Sequence, residues 1–193
     1  MGLSLWLVPP EPQATQLSRI MSYNTGTSQS PASFPRFHPH ITLLTVPSIT
    51  DLSTLRSAVP SGQPKIPIHF KSVDVGTEYY MSVYVVVHHT AELTALRESI
   101  MKNRPDDKVP PLSHVSLFYI DPADAAERNK ICDILVDDGR IVNEGIDSVT
   151  LDCTEGQQRG KDLMDGFIGG EIWIALCDGP VETWVVKDKI PLV

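Results

Sequence analysis

The sequence lacks the features that mark secreted and membrane-spanning proteins. It has only three cysteines among 193 residues, and their odd number and wide spacing argue against a disulfide framework. No apolar run approaches the roughly 20 residues needed to span a bilayer. The apolar segment at residues 3–8 has no basic residue before it and ends at two prolines, so it predicts a first strand and not a signal peptide. We therefore expect a cytoplasmic protein with reduced thiols and no membrane contact.

Positive charge is also scarce. Sixteen lysines and arginines stand against 24 acidic side chains, which gives a net charge of −8 with neutral histidines. A surface that binds a nucleic-acid backbone needs the opposite balance, so no stable nucleic-acid partner is expected. A small anionic substrate would need hydrogen-bond donors inside a local cleft, because the field of the whole protein does not attract it.

The composition is that of an ordinary globular protein, with 41% hydrophobic and 21% charged residues. The length suits one domain over residues 1–193, and we expect a monomer. No G-x-S-x-G motif occurs, so serine-hydrolase chemistry has no nucleophile elbow on which to rest.

Two short histidine motifs are the main chemical feature of the chain. His40 is followed two residues later by Thr42, and His114 is followed two residues later by Ser116, each within an apolar run that favours a strand. In a strand, residues i and i+2 leave the same face roughly 6.5–7 Å apart. Each motif therefore predicts an imidazole and a hydroxyl on one surface.

The apolar pattern predicts alternating strands and helices around these motifs. Strands are expected at residues 3–8, 36–44, 66–75, 80–87, 111–119, 149–153, 171–177 and 183–186, and helices at 11–21, 50–59, 91–104 and 121–135. Residues 22–35 and 155–170 are expected to be loops, the first of them exposed and mobile. Because the two histidine strands lie in similar surroundings, we expect two similar lobes that bring both motifs to one cleft.

A metal site is the alternative for the first motif. His38 and His40 are two residues apart and would share a strand face, but no nearby carboxylate or third histidine completes a ligand set. Phe37 and Trp6 are aromatic residues that could stack on a nucleobase, although aromatic residues beside strands usually belong to the core.

These motifs and both ends of the chain resemble the two-histidine phosphoesterases, especially the short fungal cyclic phosphodiesterases. The resemblance rests on His40-Ile41-Thr42-Leu43, His114-Val115-Ser116-Leu117, Leu5-Trp6-Leu7-Val8-Pro9-Pro10 and Gly179-Pro180-Val181-Glu182-Thr183-Trp184. It implies an α+β bilobal fold with two antiparallel sheets, outer helices and a central cleft. It also implies hydrolysis of cyclic phosphates such as ADP-ribose 1″,2″-cyclic phosphate, a by-product of tRNA splicing, and nucleoside 2′,3′-cyclic phosphates.

The resemblance assigns a role to each motif residue. His40 and His114 would be the catalytic acid/base pair, and Thr42 and Ser116 would bind the phosphate. Tyr119 matches an aromatic residue often found at this position in such proteins, and we expect it to contact the substrate. Strict strand alternation would point Tyr119 away from His114, so this role requires a twist or a bulge in the strand.

The residue types suit this chemistry independently of the resemblance. Hydrolysis of a cyclic phosphodiester needs a base to activate water and an acid to protonate the leaving ribose oxygen, and two imidazoles supply both at neutral pH. The scheme requires no metal and no cofactor. Two alternatives remain open: an RNA-end or oligonucleotide phosphodiesterase of the same superfamily, and a non-catalytic nucleotide- or RNA-binding module.

Overall fold

The computed structural model describes residues 2–107, 109–156 and 160–193, which form eleven strands and four α-helices in those ranges. The strands are β1 (Gly2–Val8), β2 (Ile41–Pro47), β3 (Ile66–Glu78), β4 (Met81–Val87), β5 (His114–Phe118), β6 (Ile141–Gly145), β7 (Ser148–Asp152), β8 (Leu163–Met164), β9 (Gly166–Gly169), β10 (Glu171–Leu176) and β11 (Val185–Pro191). The helices are α1 (Gln13–Met21), α2 (Leu52–Ala58), α3 (Ala91–Asn103) and α4 (Glu127–Asp137). Within the described ranges, no helix is long and apolar enough to cross a membrane.

The strands form two antiparallel sheets, which confirms the predicted α+β class. The large sheet has the order β11-β10-β1-β2-β5-β4-β3-β9, and the small one has the order β6-β7-β8. The histidine strands β2 and β5 are neighbours, but their pairing consists of the single register pair Ile41–Val115. The large sheet is therefore two four-stranded halves that meet at the two histidine motifs.

One face of the large sheet packs against the helices. In β1, Leu5 and Leu7 are fully buried in the main core, which also contains Leu17 of α1 and Leu96 of α3. Trp6 lies between the two leucines and so points to the opposite face. That second face carries the histidine motifs.

Several predicted boundaries of helices and strands are wrong. The cap of α2 is Asp51 and not Thr50, because the Asp51 carboxylate accepts hydrogen bonds from the N–H groups of residues 53 and 54. The helix expected after Asp121 is interrupted by a short 3₁₀ turn, Pro122–Asp124, before α4 begins. Likewise, Val181–Thr183 is a 3₁₀ turn, and strand β11 starts only after it. Strand β6 was not predicted.

The predicted loop at residues 155–170 contains two short strands. Its glycines favoured a loop in the sequence, but in the structure they permit close strand pairing. A Cβ atom on Gly166 would collide with the carbonyl oxygen of Ile68, which belongs to the neighbouring strand β3. Glycine here allows two strand backbones to approach closely and does not indicate a loop.

Residues 23–40 contain no helix or strand, as predicted for most of this segment, but the segment is tied to the body of the protein. The carboxylate of Asp124, only 7% exposed, accepts hydrogen bonds from Gln29 N (3.0 Å), Ser30 N (2.9 Å) and Ser33 Oγ (2.7 Å). These bonds hold the pKa of Asp124 below its ordinary value of 3.8. These three hydrogen bonds of Asp124 form an anchor for the segment. The anchor is fully present above pH 3.8, and it is lost only as the pH falls through the lower pKa that Asp124 has in the folded protein.

Replacing Asp124 with alanine should release this segment. Three hydrogen-bond donors lose their acceptor at once, so we expect a non-specific protease to cleave residues 23–37 severalfold faster than in the wild type. Cleavage sites would be mapped by mass spectrometry on protein with an unchanged far-ultraviolet circular dichroism spectrum. Asp138→Ala, at an exposed position after α4, is the control. Equal cleavage of the two variants would contradict the anchor.

Candidate active site

The structure brings both predicted motifs to one cavity. His40, Thr42, His114 and Ser116 all line a cavity of about 270 Å³ on the face of the large sheet away from the main core. His114 is the first residue of β5, whereas β2 begins one residue after His40. The predicted strand at residues 36–44 starts too early, because Pro39 has no N–H to donate to a neighbouring strand.

The antiparallel pairing of β2 and β5 arranges the four side chains crosswise. The register pair Ile41–Val115 separates each histidine from its own hydroxyl residue. Because the strands run in opposite directions, His40 flanks this pair on the side of Ser116, and His114 flanks it on the side of Thr42. Each imidazole therefore lies across from the hydroxyl of the other motif.

A bulge in β5 explains how Tyr119 reaches the same cavity. Ser116 and Phe118 pair with consecutive residues of β4, so Leu117 is an extra residue in the ladder. The extra residue shifts the alternation of side chains. Tyr119 consequently lines the cavity together with His114, although strict alternation would direct it elsewhere.

Strand β2 contains the corresponding irregularity. Thr42 and Leu44 pair with consecutive residues of β1, which leaves Leu43 as the extra residue. Leu43 and Leu44 are both fully buried. Thr45 returns to the cavity, where its hydroxyl lies 2.8 Å from that of Ser4. In both strands, two adjacent apolar residues follow the threonine or serine of the motif, and this pattern is the sequence signal of the bulge.

Backbone carbonyl groups orient the two imidazole rings in the same way. Nδ1 of His40 lies 2.7 Å from the carbonyl oxygen of His38, and Nδ1 of His114 lies 3.2 Å from that of Leu112. A carbonyl oxygen can only accept a hydrogen bond, so Nδ1 carries the hydrogen in each ring. Nε2 of each ring is left for chemistry in the cavity.

Burial favours the neutral form of both imidazoles in the unliganded protein. His40 is 6% exposed, and its ring is stacked on Trp6 with centroids 3.9 Å apart. Burial lowers the pKa of His40 to about 3, with smaller contributions from the charges of His38 and His114. Burial also lowers the pKa of His114, whose ring meets Tyr84 edge-on at 5.2 Å.

The two motif hydroxyl groups differ in their hydrogen bonds. Ser116 Oγ donates to the carbonyl oxygen of Tyr80 at 2.7 Å. Thr42 has no side-chain hydrogen bond to any other residue in the described ranges. The Thr42 hydroxyl is therefore ready to donate to a ligand, whereas Ser116 must first leave its carbonyl partner.

Tyr119 is held firmly in the cavity wall. It is 3% exposed, and Phe37 stacks on its ring with centroids 4.0 Å apart and an interplanar angle of 3°. Burial raises the pKa of Tyr119, while a hydrogen bond with Ser116 partly offsets this effect. The phenol is therefore a neutral donor at any physiological pH.

Sequence reasoning gave no site role to Trp184, although it was part of the resemblance. Its ring lies 5.9 Å from Trp6, 5.9 Å from Tyr80 and 6.2 Å from Tyr119, measured between centroids. Cys177 also lines the cavity, and burial raises the pKa of its thiol to about 11. No spacing in the sequence connects these residues to the motifs. Among the described residues, none that lines this cavity is an aspartate, glutamate, lysine or arginine.

The pair His38 and His40 does not share one site. The His38 ring stacks on Trp173, with centroids 4.3 Å apart, and lines a different cavity. In the parts of the chain that the structure describes, no three histidine, cysteine, aspartate or glutamate side chains are grouped as metal ligands.

Comparison with known proteins agrees with this geometry. The sequence model of the family "Cyclic phosphodiesterase-like protein" matches residues 1–192. A 2′,3′-cyclic-nucleotide 3′-phosphodiesterase from Yarrowia lipolytica is 26% identical, and the match covers 96% of this chain and 97% of that protein.

Solved structures share the fold at low sequence identity. A crystal structure of a phosphoesterase has a TM-score of 0.56 and 11% identity, covering 99% of this chain and 98% of that one. The Escherichia coli protein LigT complexed with 3′-AMP has a TM-score of 0.56 and 10% identity, covering 100% of this chain and 98% of that one. Because the family match extends over nearly the whole sequence, the chain is an enzyme that belongs to the cyclic phosphodiesterase-like family and has the two-histidine phosphoesterase fold, as its motifs predicted.

Proposed function

We propose that this enzyme hydrolyses ribose cyclic phosphates by metal-independent acid/base catalysis with His40 and His114. The observation that carries the proposal is the pair of imidazoles in one cavity, each with Nδ1 bound to a carbonyl oxygen and Nε2 left for the substrate. The proposed reactions are ADP-ribose 1″,2″-cyclic phosphate to ADP-ribose 1″-phosphate, and the opening of nucleoside 2′,3′-cyclic phosphates.

Names of related proteins support this substrate class. The Yarrowia lipolytica relative is a 2′,3′-cyclic-nucleotide 3′-phosphodiesterase. LigT, which shares the fold, has been crystallised with 3′-AMP and with NADP⁺, and both ligands contain phosphorylated ribose. The matches cover nearly the whole of this chain and of these two proteins.

In the proposed reaction, one neutral imidazole accepts a proton from water through Nε2. The water oxygen forms a bond to phosphorus while the bond from phosphorus to one ribose oxygen breaks. The second imidazole, protonated, donates its proton to that leaving oxygen. The orientation of the cyclic ester decides whether His40 or His114 is the base.

The remaining motif residues would bind the phosphate. Thr42 and Ser116 would donate hydrogen bonds to its non-bridging oxygens, where negative charge is held during attack. Tyr119, which lies beside Ser116, would contact the substrate from the cavity wall. The anionic substrate itself favours protonation of one imidazole, since a neighbouring negative charge raises the pKa of a histidine.

Alanine substitution of either histidine tests the proposal. We expect His40→Ala and His114→Ala each to lower kcat for both cyclic substrates by about 10²- to 10⁴-fold in excess chelator, because each removes one proton-transfer group. The measurement is product formation by phosphorus-31 NMR or chromatography, on variants whose thermal unfolding is checked.

His69→Ala is the matched control, because His69 is exposed on β3 outside the cavity. Wild-type turnover in either motif variant would refute the acid/base pair. Activity of the wild type that disappears with chelator would refute metal independence. Binding of the cyclic phosphate without any turnover by the wild type would favour a non-catalytic module.

The pH dependence of kcat/KM should be bell-shaped with its maximum below pH 6.5. Burial lowers the pKa of both histidines from 6.5, so the form with one protonated and one neutral ring exists in the free enzyme only at acidic pH. Activity falls above the maximum as the acid loses its proton, and it falls below the maximum as the base gains one. The kcat profile should lie at higher pH, because bound phosphate stabilises the imidazolium. A kcat/KM that still rises above pH 7 would contradict this assignment.

Loss of the Thr42 hydroxyl should cost more activity than loss of the Ser116 hydroxyl. Thr42→Val removes a donor that is ready for the phosphate, and we expect kcat to fall by about 10²- to 10³-fold. Ser116→Ala should cause a smaller loss, because Ser116 already donates to a backbone carbonyl. Thr45→Val, which alters the same cavity at a hydroxyl bonded to Ser4, is the control. Equal losses for Thr42→Val and Thr45→Val would refute the assigned role of Thr42.

A further inference from the structure

Arg97 is a buried cation that no step of the proposed reaction uses. It belongs to α3 and is only 8% exposed. In the parts of the chain that the structure describes, no carboxylate lies within 4.0 Å of its guanidinium group. Burial lowers the pKa of Arg97 from 12.5, but a guanidinium group keeps its proton in proteins. Within these ranges the interior therefore holds a positive charge without an ionic partner.

The guanidinium group of Arg97 fastens the segment that leads into β5. Its Nη1 donates to Ser113 Oγ at 2.9 Å, and its Nη2 donates to the carbonyl oxygen of Pro110. Ser113 is fully buried and directly precedes His114, the first residue of β5. Pro110 lines the catalytic cavity that contains both motifs. One planar group thus ties two points of this segment to helix α3.

The carbonyl group that orients a catalytic ring lies between these two points. His114 Nδ1 donates to the carbonyl oxygen of Leu112 at 3.2 Å. This bond fixes the tautomer and the rotation of the ring, and it leaves Nε2 for the cavity. The residues that flank the Leu112 carbonyl group, at positions 110 and 113, are the two that Arg97 holds. The orientation of the His114 ring therefore depends on how firmly this segment is held.

The first motif has a different restraint at the equivalent place. The carbonyl oxygen of His38 orients the His40 ring, and Pro39 lies between these two residues. The proline ring fixes the φ angle of Pro39, so the link between carbonyl group and histidine is stiff. Ser113 has the corresponding place in the second motif, where a hydrogen bond from Arg97 and not a ring restrains the chain.

The buried charge of Arg97 is costly, which indicates that its hydrogen bonds have a specific role. Desolvation of the guanidinium group is offset here by neutral acceptors and not by a carboxylate. An apolar side chain of similar length would fill the same space without this cost. Packing alone therefore does not explain an arginine at this position, whereas the two bonds to the segment before His114 do.

We propose that Arg97 is a positioning residue of the active site, which acts through residues 110–113 to hold the His114 ring in its reactive orientation. The inference rests on the proposed function, because it concerns the proton that His114 transfers. Arg97 acts through the backbone and does not contact the substrate. Its loss therefore affects the rate of proton transfer more than the binding of the phosphate.

Arg97→Met tests the proposal, because methionine keeps an unbranched side chain but removes the charge and both hydrogen bonds. With adenosine 2′,3′-cyclic phosphate as substrate, we expect kcat to fall by about 10- to 100-fold, since a reacting group that is misplaced by about 1 Å costs up to this much. KM should change by less than about threefold. Arg97→Lys keeps the charge and a donor, and it should recover part of kcat.

Nitrogen-15 NMR measures the state of the His114 ring directly. In the wild type above pH 7, the hydrogen of the neutral ring should be on Nδ1, where the Leu112 carbonyl oxygen accepts it. In Arg97→Met we expect a second population with the hydrogen on Nε2. The signals would be assigned by their absence in His114→Ala. A loss of stability alone does not change the tautomer of the folded protein, so this measurement separates positioning from a structural role.

Arg128→Met is the matched control, because it also removes a buried guanidinium group. Arg128 of α4 is 5% exposed and donates to the carbonyl oxygens of Thr77 and Ile120, away from residues 110–113. Both methionine variants should unfold at a lower temperature than the wild type. Only Arg97→Met should change the tautomer of His114 and lower kcat by tenfold or more.

Two results would overturn the proposal. One is an equal fall in kcat for Arg97→Met and Arg128→Met, which would show a general effect of lost stability. The other is a wild-type kcat and a wild-type His114 spectrum in Arg97→Met. If Arg97→Met does not fold, Ser113→Ala makes the same test, because it removes one of the two contacts and leaves the charge in place. Inactivity of the wild type would refute the proposed function, while the NMR comparison would still decide whether Arg97 holds the His114 ring.

Discussion

The candidate active site depends on one backbone contact between the two halves of the large sheet. The pair Ile41–Val115 is the point at which β2 meets β5, and both side chains are fully buried. Each of these residues stands between a histidine and a hydroxyl residue. Burying this pair therefore directs the flanking side chains to the other face, and four polar groups from distant parts of the chain meet there. The core and the site are built by the same pairing.

The protonation of the two imidazoles in the catalytic cavity is controlled mainly by their burial, which lowers the pKa of both rings. Trp6 covers the His40 ring, and Tyr84 lies edge-on to the His114 ring, so both rings are partly removed from water. Desolvation favours their neutral forms. Among the described residues, no aspartate, glutamate, lysine or arginine lines this cavity, so an incoming phosphate brings negative charge to a wall of otherwise neutral side chains.

The sequence was sufficient to predict the fold class and the meeting of the two motifs, because strand patterning and paired spacing are local features. The resemblance assigned Tyr119 to the site, but strand alternation alone pointed it away, and the extra residue in β5 that brings it to the cavity is visible only against the partner strand. Nor did the sequence predict strand β9, because glycines are typical of loops. Their role in strand pairing becomes clear only from the close approach of β3. The place of Trp184 in the cavity wall depends on contacts with residues that are far apart in the sequence, such as Trp6 and Tyr119, and no local pattern records these contacts.

The support of Tyr119 has a consequence for how the chain can vary in length. The carbonyl oxygen of Tyr119 accepts a hydrogen bond from Phe34 N (2.9 Å), its ring stacks on Phe37, and five residues later Asp124 holds Ser33. The stretches 33–37 and 119–124 are therefore joined to each other at three points. An insertion or deletion between Ser33 and Phe37 would put these points out of step and displace the tyrosine, so the length of this piece is fixed by the site even though it belongs to no strand or helix.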